Sequence, residues 1–479
     1  MESRSRLFDD IRASDSRPAR ARAVNDGAVP YPMSVLVFRQ NAFTEVRRRL
    51  LADAPLEAAC FLLATSSDIG EGLWRLIVGD IVYLEANDYV ERSEWSVELT
   101  ARVLADVTKR ARLQQLSVFL VHSHPVAARV QASDEDRRGE RKWVPAVTRR
   151  APGVPHGRLI LGPTDQSAAL LTPEGVESPL RVIEVGEQLV DHSGSSQVHL
   201  VDESRNDRQI RAFGVDGQRQ LARMHVGVIG VGGTGSIVTQ QLAHLGVGEY
   251  TLLDPDVIEW SNLNRIVGAT PGDVGRSKTD VAAGFVSRIQ PDAPVHTLQA
   301  DVRDAVTARR LLACDFLFCC TDSEGSRAVV NQLAYQYCLP VIDLGVIIVA
   351  KHGTVSHISG RVQLLAPGEP CLLCGSVLDP EQVRRDLLTE EARKRDQYIV
   401  GNEVIQPAVI SINGATASLA VTMMLATVTG IPVAARNQRL RLEAGLVSRL
   451  SVAANPDCPI CSAAGALGRG DAFTFPGRR

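Results

Sequence analysis

Apolar and polar residues follow two different patterns along the chain. From Val35 to Glu187, short apolar runs such as 76–78 and 117–121 alternate with more polar, helix-like stretches. Residues 188–204 are mostly polar and predict a linker. Beyond them, short buried strands alternate with helices that follow glycine turns, which is typical of a doubly wound, mostly parallel sheet.

The chain is therefore predicted to contain two α/β domains. In the second, apolar runs predict a helix at 237–245 and strands at 226–229, 250–253, 295–298, 316–320 and 341–344. The predicted segments are a disordered tail at 1–32, a first domain at 33–187, the linker at 188–204 and a second, Rossmann-like domain at 205–479.

One stretch, from Gln406 to Ala435, has no charged residue. Its length would suit a membrane span. Hydroxyl and amide side chains interrupt it, however, and Gly430 and Pro432 end it. We expect a helix buried in a large core or in a dimer interface, and no membrane span.

Composition narrows the function classes only slightly. Apolar residues make up 45% and charged residues 22% of the chain, and the formal charge is −3. These values are ordinary for a globular protein and show no basic footprint for nucleic acid. The start of the chain mixes arginines with acidic residues and has no apolar core. It therefore predicts neither a secretory signal nor a transit peptide, and we expect a cytoplasmic protein.

The cysteine pattern predicts a metal site. Of nine cysteines, four form two C-x-x-C pairs, Cys371 with Cys374 and Cys458 with Cys461. Four thiolates at this spacing close a tetrahedral, structural zinc site. The alternative is a set of buried free thiols in a reducing compartment.

A glycine turn predicts a nucleotide site. Gly230, Gly232, Gly233 and Gly235 follow a predicted strand and open a predicted helix, so backbone N–H groups would face phosphate oxygens. Asp254, at the end of the next strand, could accept hydrogen bonds from ribose hydroxyls. On these features alone, NAD would be the favoured ligand.

The residues that follow change this interpretation. The run DPDVIEWSNLNR at 254–265 resembles the D-x-D-x-V-x-x-S-N-L-x-R stretch of the ThiF/MoeB/HesA family of ubiquitin-activating type. The runs at 275–278, 320–322 and 207–210 are similar to that family's G-x-x-K, C-T-D and N-R-Q-I motifs. The resemblance covers about residues 205–465. It implies an adenylyltransferase that uses ATP and Mg²⁺.

The resemblance also assigns roles. It implies that Arg265 and Lys278 contact the phosphates and that Asn262 helps to orient them. Asp254 would hold the ribose. Asp322 would bind magnesium, a hard cation that prefers oxygen ligands. Cations are needed because negative charge develops while pyrophosphate leaves.

Two further implications concern assembly. In family homodimers, the arginine that matches Arg208 reaches into the neighbouring subunit's site. Many relatives carry a nucleophilic cysteine in the crossover segment, which here is 375–406 and contains none. Either the acyl-adenylate is handed to a conjugating or sulfur-donor partner, or a cysteine elsewhere serves.

A second metal site is predicted near residue 122. His122 and His124 end a predicted strand, and alternation along the strand places both imidazoles on one face. Ser133 and Asp136 follow at the predicted start of a helix, and Glu57 precedes an earlier apolar run. A lone H-x-H is usually not a metal site.

Together these residues resemble the JAMM (JAB/MPN) metalloprotease pattern over about residues 33–185. The resemblance implies that His122, His124 and Asp136 hold a catalytic zinc. Glu57 would take a proton from water and Ser133 would bind the oxyanion. The eight residues between His124 and Ser133 are one more than the family's usual gap.

Two other differences keep the site's activity open. Cys60 and Ala64 replace glycines that are common after the glutamate. Asp134 and Glu135 are alternative carboxylate ligands.

The two resemblances imply one function: activation of a small ubiquitin-like or sulfur-carrier protein with a C-terminal glycine, by an enzyme that also processes the carrier or its conjugates. Rival hypotheses are adenylation of a peptide or small-molecule carboxylate, and a non-catalytic JAMM binding module. An NAD dehydrogenase would leave Asn262, Arg265 and Lys278 unexplained. The sequence does not distinguish sulfur transfer from protein conjugation.

Overall fold

The computed structural model describes residues 33–127, 129–193, 201–351, 353–389, 407–475 and 477. The predicted tail at 1–32 and most of the crossover segment, 390–406, lie outside the described residues. The described residues form two large mixed sheets, one in each half of the chain.

The first half builds a nine-stranded sheet from its described residues, in the order β11-β10-β1-β3-β2-β6-β7-β8-β9. Strand β2 pairs antiparallel with both β3 and β6, and β6 runs parallel to β7. The elements are β1 Val35–Arg39, α1 Ala42–Leu50, β2 Ala59–Gly70, β3 Leu73–Tyr83, β4 Tyr89–Arg92, β5 Val97–Leu99, α2 Ala101–Gln114, β6 Ser117–Ser123, α3 Asp134–Arg150, β7 His156–Leu161, β8 Gln166–Leu171, β9 Glu177–Pro179, β10 Arg181–Val185 and β11 Leu189–Asp191.

The second half builds an eight-stranded sheet from its described residues, in the order β14-β13-β12-β15-β16-β17-β18-β19. The first five strands in this order are parallel, as the Rossmann-like pattern predicts, and the last three are antiparallel. The elements are α4 Glu203–Arg223, β12 His225–Ile229, α5 Gly233–Leu245, β13 Glu249–Leu253, α6 Lys278–Ile289, β14 Val295–Leu298, α7 Ala305–Arg309, β15 Phe316–Cys319, α8 Glu324–Gln336, β16 Val341–Lys351, β17 Thr354–Leu365, α9 Pro380–Leu387, α10 Ile410–Thr429, β18 Asn437–Arg441 and β19 Leu446–Arg449.

Helix α10 occupies the centre of the uncharged stretch at 406–435. It has a mean hydropathy of 1.3 and a length that would also suit a membrane span. In the structure it packs against α4, α5, β16 and β17, and half of its most apolar window is buried. Ala417, Ala420 and Met424 enter the main core. The expected buried helix is therefore present on this part of the chain.

The two halves share one hydrophobic core. Val35 and Val37 of β1 join the cluster that contains the strands of the second sheet, whereas the alternating residues Leu36 and Phe38 face a separate cluster within the first half. The predicted linker contributes to this junction, because Leu189 in β11 is buried in the same core. Residues 194–200 of the linker lie outside the described residues.

Arg75 is the central polar group of the junction. Its side chain is almost completely buried, with a residue exposure of 1%. It donates hydrogen bonds of 2.8, 3.4 and 3.0 Å to the carbonyls of Tyr337, Cys314 and Cys338. These carbonyls precede β15 and β16, so the first half covers the amino-terminal edge of the parallel strands. Arg181 adds an ion pair to Asp315 at 2.8 Å on the same edge.

Replacing Arg75 by alanine should destabilise the junction, because three buried carbonyl oxygens would lose their donor. We expect the free energy of unfolding to fall by about 2–4 kcal/mol, measured by urea denaturation. Arg110→Ala is the matched control, because Arg110 forms an exposed ion pair with Asp80, a type that contributes about 0–1 kcal/mol. Equal stability of the two variants would contradict the role assigned to Arg75.

Candidate nucleotide and metal sites

The glycine turn between β12 and α5 is tight on its inner side and open on its outer side. Gly230 has a φ of 84°, which favours glycine. A Cβ on Gly235 would lie 1.8 Å from the carbonyl oxygen of Gly230, so this position excludes any side chain. A Cβ on Gly232 would meet nothing within 4 Å. The backbone at Gly232, directly before the first N–H groups of α5, therefore borders open space, where an anionic phosphate could bind.

Asp254 holds this turn in place. It is 4% exposed and accepts hydrogen bonds from the N–H of Val231 at 2.8 Å and of Asp256 at 2.9 Å. Burial raises the pKa of Asp254, and the nearby Lys278 offsets this in part. Each carboxylate oxygen keeps a further lone pair for a ribose hydroxyl.

The predicted cations lie beside the turn. The Nζ of Lys278 is 3.8 Å from Asp254 and 2.7 Å from Asp256. Arg265 donates to the carbonyl of Ser261 at 2.7 Å, and its Cδ lies 3.2 Å from where a Cβ of Gly233 would stand. Both positive charges can therefore face a phosphate chain that rests on the first turn of α5.

Asn262 is buried within the 3₁₀ turn Trp260–Asn262 and caps it, because its Oδ1 accepts the N–H of Glu259 at 3.3 Å. It therefore holds the loop that carries Arg265. Sequence reasoning missed a second amide, Asn413 in the first turn of α10. Its Nδ2 lies 2.6 Å from the position of a Cβ on Gly233. The only sequence signal was an amide within an uncharged helix.

Asp322 reaches the same edge from the neighbouring strand. β15 runs parallel to β12, with Cys319 opposite Ile229. A Cβ on Gly230 would lie 3.2 Å from the backbone nitrogen of Thr321, so the C-T-D segment touches the glycine turn. Asp322 itself is exposed and available to a cation.

Arg208 is the predicted residue that the fold does not bring to this edge. It is exposed on α4, next to Gln209, which donates to the carbonyl of His244 at 3.0 Å. His244 lies in the last turn of α5, whereas the glycine turn lies before the first. The 13 residues of α5 separate these ends by about 18 Å.

The four predicted cysteines form a compact cluster. The Sγ atoms of Cys371 and Cys458 are 3.6 Å apart, and those of Cys374 and Cys461 are 3.5 Å apart. All four Sγ atoms lie within 4.8 Å of one another. Thiolates bound to one tetrahedral zinc at 2.3 Å lie about 3.8 Å apart. The cluster therefore suits a structural zinc ion.

The first half brings His122, His124 and Asp136 together. The Nε2 of His122 is 2.9 Å from Asp136 and 3.2 Å from the Nε2 of His124, which is 3.5 Å from Asp136. Nitrogen and oxygen ligands of a tetrahedral zinc lie about 3.3 Å apart. The donor set therefore suits zinc.

The pairing of β2 with β6 explains how Glu57 reaches this cluster. Ala59 pairs with His122, and continuing the antiparallel register places Glu57 opposite His124. The carboxylate of Glu57 lies 3.6 Å from the Nε2 of His124. Ser123, between the two histidines, accepts the N–H of Ala58 at 2.9 Å and holds the end of β2 in place.

Ser133 and Asp136 form a capping box at the start of α3. The hydroxyl of Ser133 donates to Asp136 at 2.8 Å, and the N–H of Asp136 returns a hydrogen bond at 3.1 Å. Asp134 and Glu135 are exposed, and Asp136 is the carboxylate that lies with the two histidines in a group able to hold a metal. The long gap before Ser133 thus still lets α3 deliver a carboxylate to the histidines.

The carboxylates of this cluster have opposite pKa shifts. Burial raises the pKa of Glu57, despite the two nearby imidazoles. Burial alone would also raise the pKa of Asp136, but its hydrogen bonds with His122 and His124 outweigh it and the pKa is lowered. Burial opposes the charged form of His124, yet Asp136 and Glu57 raise its pKa. The environment thus favours the charged form of Asp136, whereas Glu57 is the carboxyl group better suited to hold a proton.

Comparisons with known proteins place one family on this chain. Residues 206–460 match the ThiF family. The chain is 32% identical over 161 residues to a SAMP-activating enzyme E1 of Haloferax volcanii, covering 34% of this chain and 56% of that protein. It is 32% identical over 178 residues to the molybdopterin-synthase adenylyltransferase of Escherichia coli K12, covering 36% and 68%.

Two further similarities have lower sequence identity. A ubiquitin-like modifier-activating enzyme 5 of Oryza sativa is 27% identical over 214 residues, covering 40% of this chain and 49% of that protein. A crystal structure of E. coli MccB with MccA-N7isoASN covers 55% of this chain and 76% of its own, with 22% identity and a TM-score of 0.44. This chain thus spans only about half the length of several curated relatives.

Proposed function

Because the chain belongs to the ThiF family, we propose that its second half uses ATP to adenylate the C-terminal carboxylate of a small ubiquitin-like or sulfur-carrier protein. The observation that carries this proposal is the meeting of the glycine turn, Asp254, Lys278, Arg265 and Asp322 at one edge of the sheet. Similar proteins named as adenylyltransferases and modifier-activating enzymes support it.

The chemistry follows from the placement of charge. A carboxylate oxygen of the carrier attacks the α-phosphorus of ATP, the bond to the β-phosphate breaks, and pyrophosphate leaves with its electron pair. The N–H groups at the start of α5, Arg265 and Lys278 stabilise the charge that develops on the phosphates. Asp322 would hold Mg²⁺, which supplies further positive charge.

The described cysteines favour an acyl-adenylate that a partner consumes. Burial raises the pKa of the thiols of Cys60, Cys314, Cys319, Cys320 and Cys338. Such thiols are poor nucleophiles at neutral pH. We propose that a conjugating or sulfur-donor partner completes the reaction.

Carrier-dependent exchange of labelled pyrophosphate into ATP should occur and should be lost in Asp322→Ala. Losing the magnesium ligand should reduce the rate by on the order of a thousandfold. Asp292→Ala, a change at an exposed aspartate of the same half, is the matched control and should retain the rate. Exchange that persists in Asp322→Ala would overturn the assignment. If the same reactions gave a covalent carrier–enzyme adduct that thiols cleave, the enzyme would form a thioester. This result would contradict the proposal that a partner consumes the acyl-adenylate directly.

For the first half we propose a zinc peptidase that trims the carrier, or releases it from conjugates, to give the free carboxylate that adenylation needs. His122, His124 and Asp136 would hold zinc, which supplies Lewis acidity and acidifies water. Glu57 would accept a proton at Oε1, which faces His124. Ser133 now orients Asp136, so binding an oxyanion would require that hydrogen bond to break.

Replacing both His122 and His124 by alanine should remove about one zinc per chain and all peptidase activity, and adenylation should survive. Cys371→Ser should remove a different zinc and lower the melting temperature, because a closed thiolate site contributes to folding. Cys60→Ala, a change at another buried cysteine, should keep the full zinc content. Elemental analysis and melting curves decide the outcome. If the zinc content of the His122/His124 variant equals that of the wild type, the first half holds no zinc at this cluster and is a binding module.

We further propose a homodimer in which Arg208 completes the partner's site. The support is its place beside the far end of α5, about 18 Å from its own glycine turn. Equal mixing of Arg208→Ala and Lys278→Ala chains should make about half of the dimers mixed, each with one complete site, and so restore about a quarter of the wild-type activity. No recovery, after subunit exchange has been demonstrated with labelled chains, would contradict a role across the interface.

A further inference from the structure

Three side chains that neither proposed reaction uses lie together at the amino-terminal edge of the second sheet. The Nε2 of His296 is 2.8 Å from Oε1 of Glu249, and the Nδ1 of His225 is 3.8 Å from the same oxygen. One ligand atom from each residue lies within 4.8 Å of the other two. This is the third such cluster in the described part of the chain.

The sheet itself brings these residues together. His225 begins β12 and pairs with Glu249, the first residue of β13. His296 of β14 pairs with Thr251, two residues after Glu249. Because side chains alternate along a strand, all three lie on one face of three adjacent parallel strands. The three residues are therefore positioned by hydrogen-bonded strands and not by loops.

The neighbours of His225 orient it for metal binding. Its Nε2 is 2.8 Å from the hydroxyl oxygen of Thr251, and that hydroxyl also contacts the thiol of Cys314. If Thr251 donates to the sulfur, it accepts from the Nε2–H of His225, and Nδ1 is then the nitrogen available on the side of Glu249, at 3.8 Å. The backbone of Ala313 is a further hydrogen-bond partner of His225. A histidine whose other nitrogen is held in this way is typical of metal ligands.

We propose that His225, Glu249 and His296 form a zinc site separate from the thiolate cluster and from the histidine cluster of the first half. Two imidazoles and a carboxylate are ligands that zinc accepts, with water completing the shell. The separations of 2.8 and 3.8 Å from Glu249 bracket the value of about 3.3 Å between ligands of a tetrahedral zinc, and the two histidine ligand atoms lie within 4.8 Å of each other. Small side-chain movements are therefore enough to bind the ion.

The position of the site gives the ion a structural role. A bound zinc would join the starts of three strands next to the junction between the two halves. The backbone N–H of His225 donates to Asp315 at 3.0 Å, and Asp315 pairs with Arg181 of the first half. The site lies at the edge opposite the glycine turn, so its loss should leave adenylation unchanged.

A matched control exists on the same half. His357 and Glu443 form an exposed histidine–carboxylate pair at 2.9 Å, and they belong to no metal cluster among the described residues. His296 is 54% exposed, so His296→Gln should fold normally. His357→Gln removes the same kind of pair without a third ligand.

The test compares zinc content and thermal stability of the full chain. Wild type, His296→Gln and His357→Gln are dialysed against buffer with micromolar free zinc and analysed for metal. We expect about one zinc fewer in His296→Gln alone, and a rise in the melting temperature on adding zinc that this variant lacks. Crystals grown with zinc should show anomalous scattering between the three ligand atoms.

Equal zinc in wild type and His296→Gln, with no anomalous peak between the ligands, would overturn the proposal. A loss of zinc in both His296→Gln and His357→Gln would also overturn it, because zinc would then be binding to exposed histidines in general and not to this site. Combining His296→Gln with the His122 and His124 changes should remove about two zincs. Pyrophosphate exchange tests the proposed adenylation separately, so either proposal can fail alone.

Discussion

One geometric constraint governs the second half: parallel strands must end at the same edge of their sheet. This brings the end of β12 beside the end of β15, so that the glycine turn meets the segment that carries Asp322. The N–H groups at the start of α5 have no partner within their helix and need an anion or water. Gly235 permits the tight turn, and Asp254 ties it to the next strand. The positive groups around the turn follow from this arrangement.

The opposite edge of the same sheet serves a different purpose. Arg75 is buried there, and a buried guanidinium is tolerated only if its donors are satisfied. The carbonyls before β15 and β16 satisfy them, which fixes the orientation of the first half. Ser67 contacts this junction near Gly470, whereas Glu57 lies ten residues away near the other end of β2. The histidine cluster of the first half is therefore about 30 Å from the junction. The junction lies between this cluster and the nucleotide site of the second half.

Several strands of the second half were predictable because their signals are local. Apolar runs marked β12, β13 and β15, and glycines marked the turn before α5. The extension of β16 to Lys351 and its antiparallel neighbours were not predicted, because the predicted run stops at Gly345 and the apolar residues beyond it, such as Ile347, are exposed and do not belong to a buried strand core. Strand β11 lies within the predicted linker and was missed. Its apolar run is short and flanked by polar residues, and Leu189 is buried only because it contacts the other half of the chain.

The sequence by itself determined which residue types were available: the cysteine pairs, the H-S-H motif and the glycine turn, each with a spacing that limits its chemistry. Only the tertiary structure decided which distant groups meet. The approach of Glu57 to His124 depends on strand register, and the meeting of His225 with His296 depends on the order of strands in the sheet. No local pattern encodes these distances, because they arise when strands far apart in the chain pair their backbones.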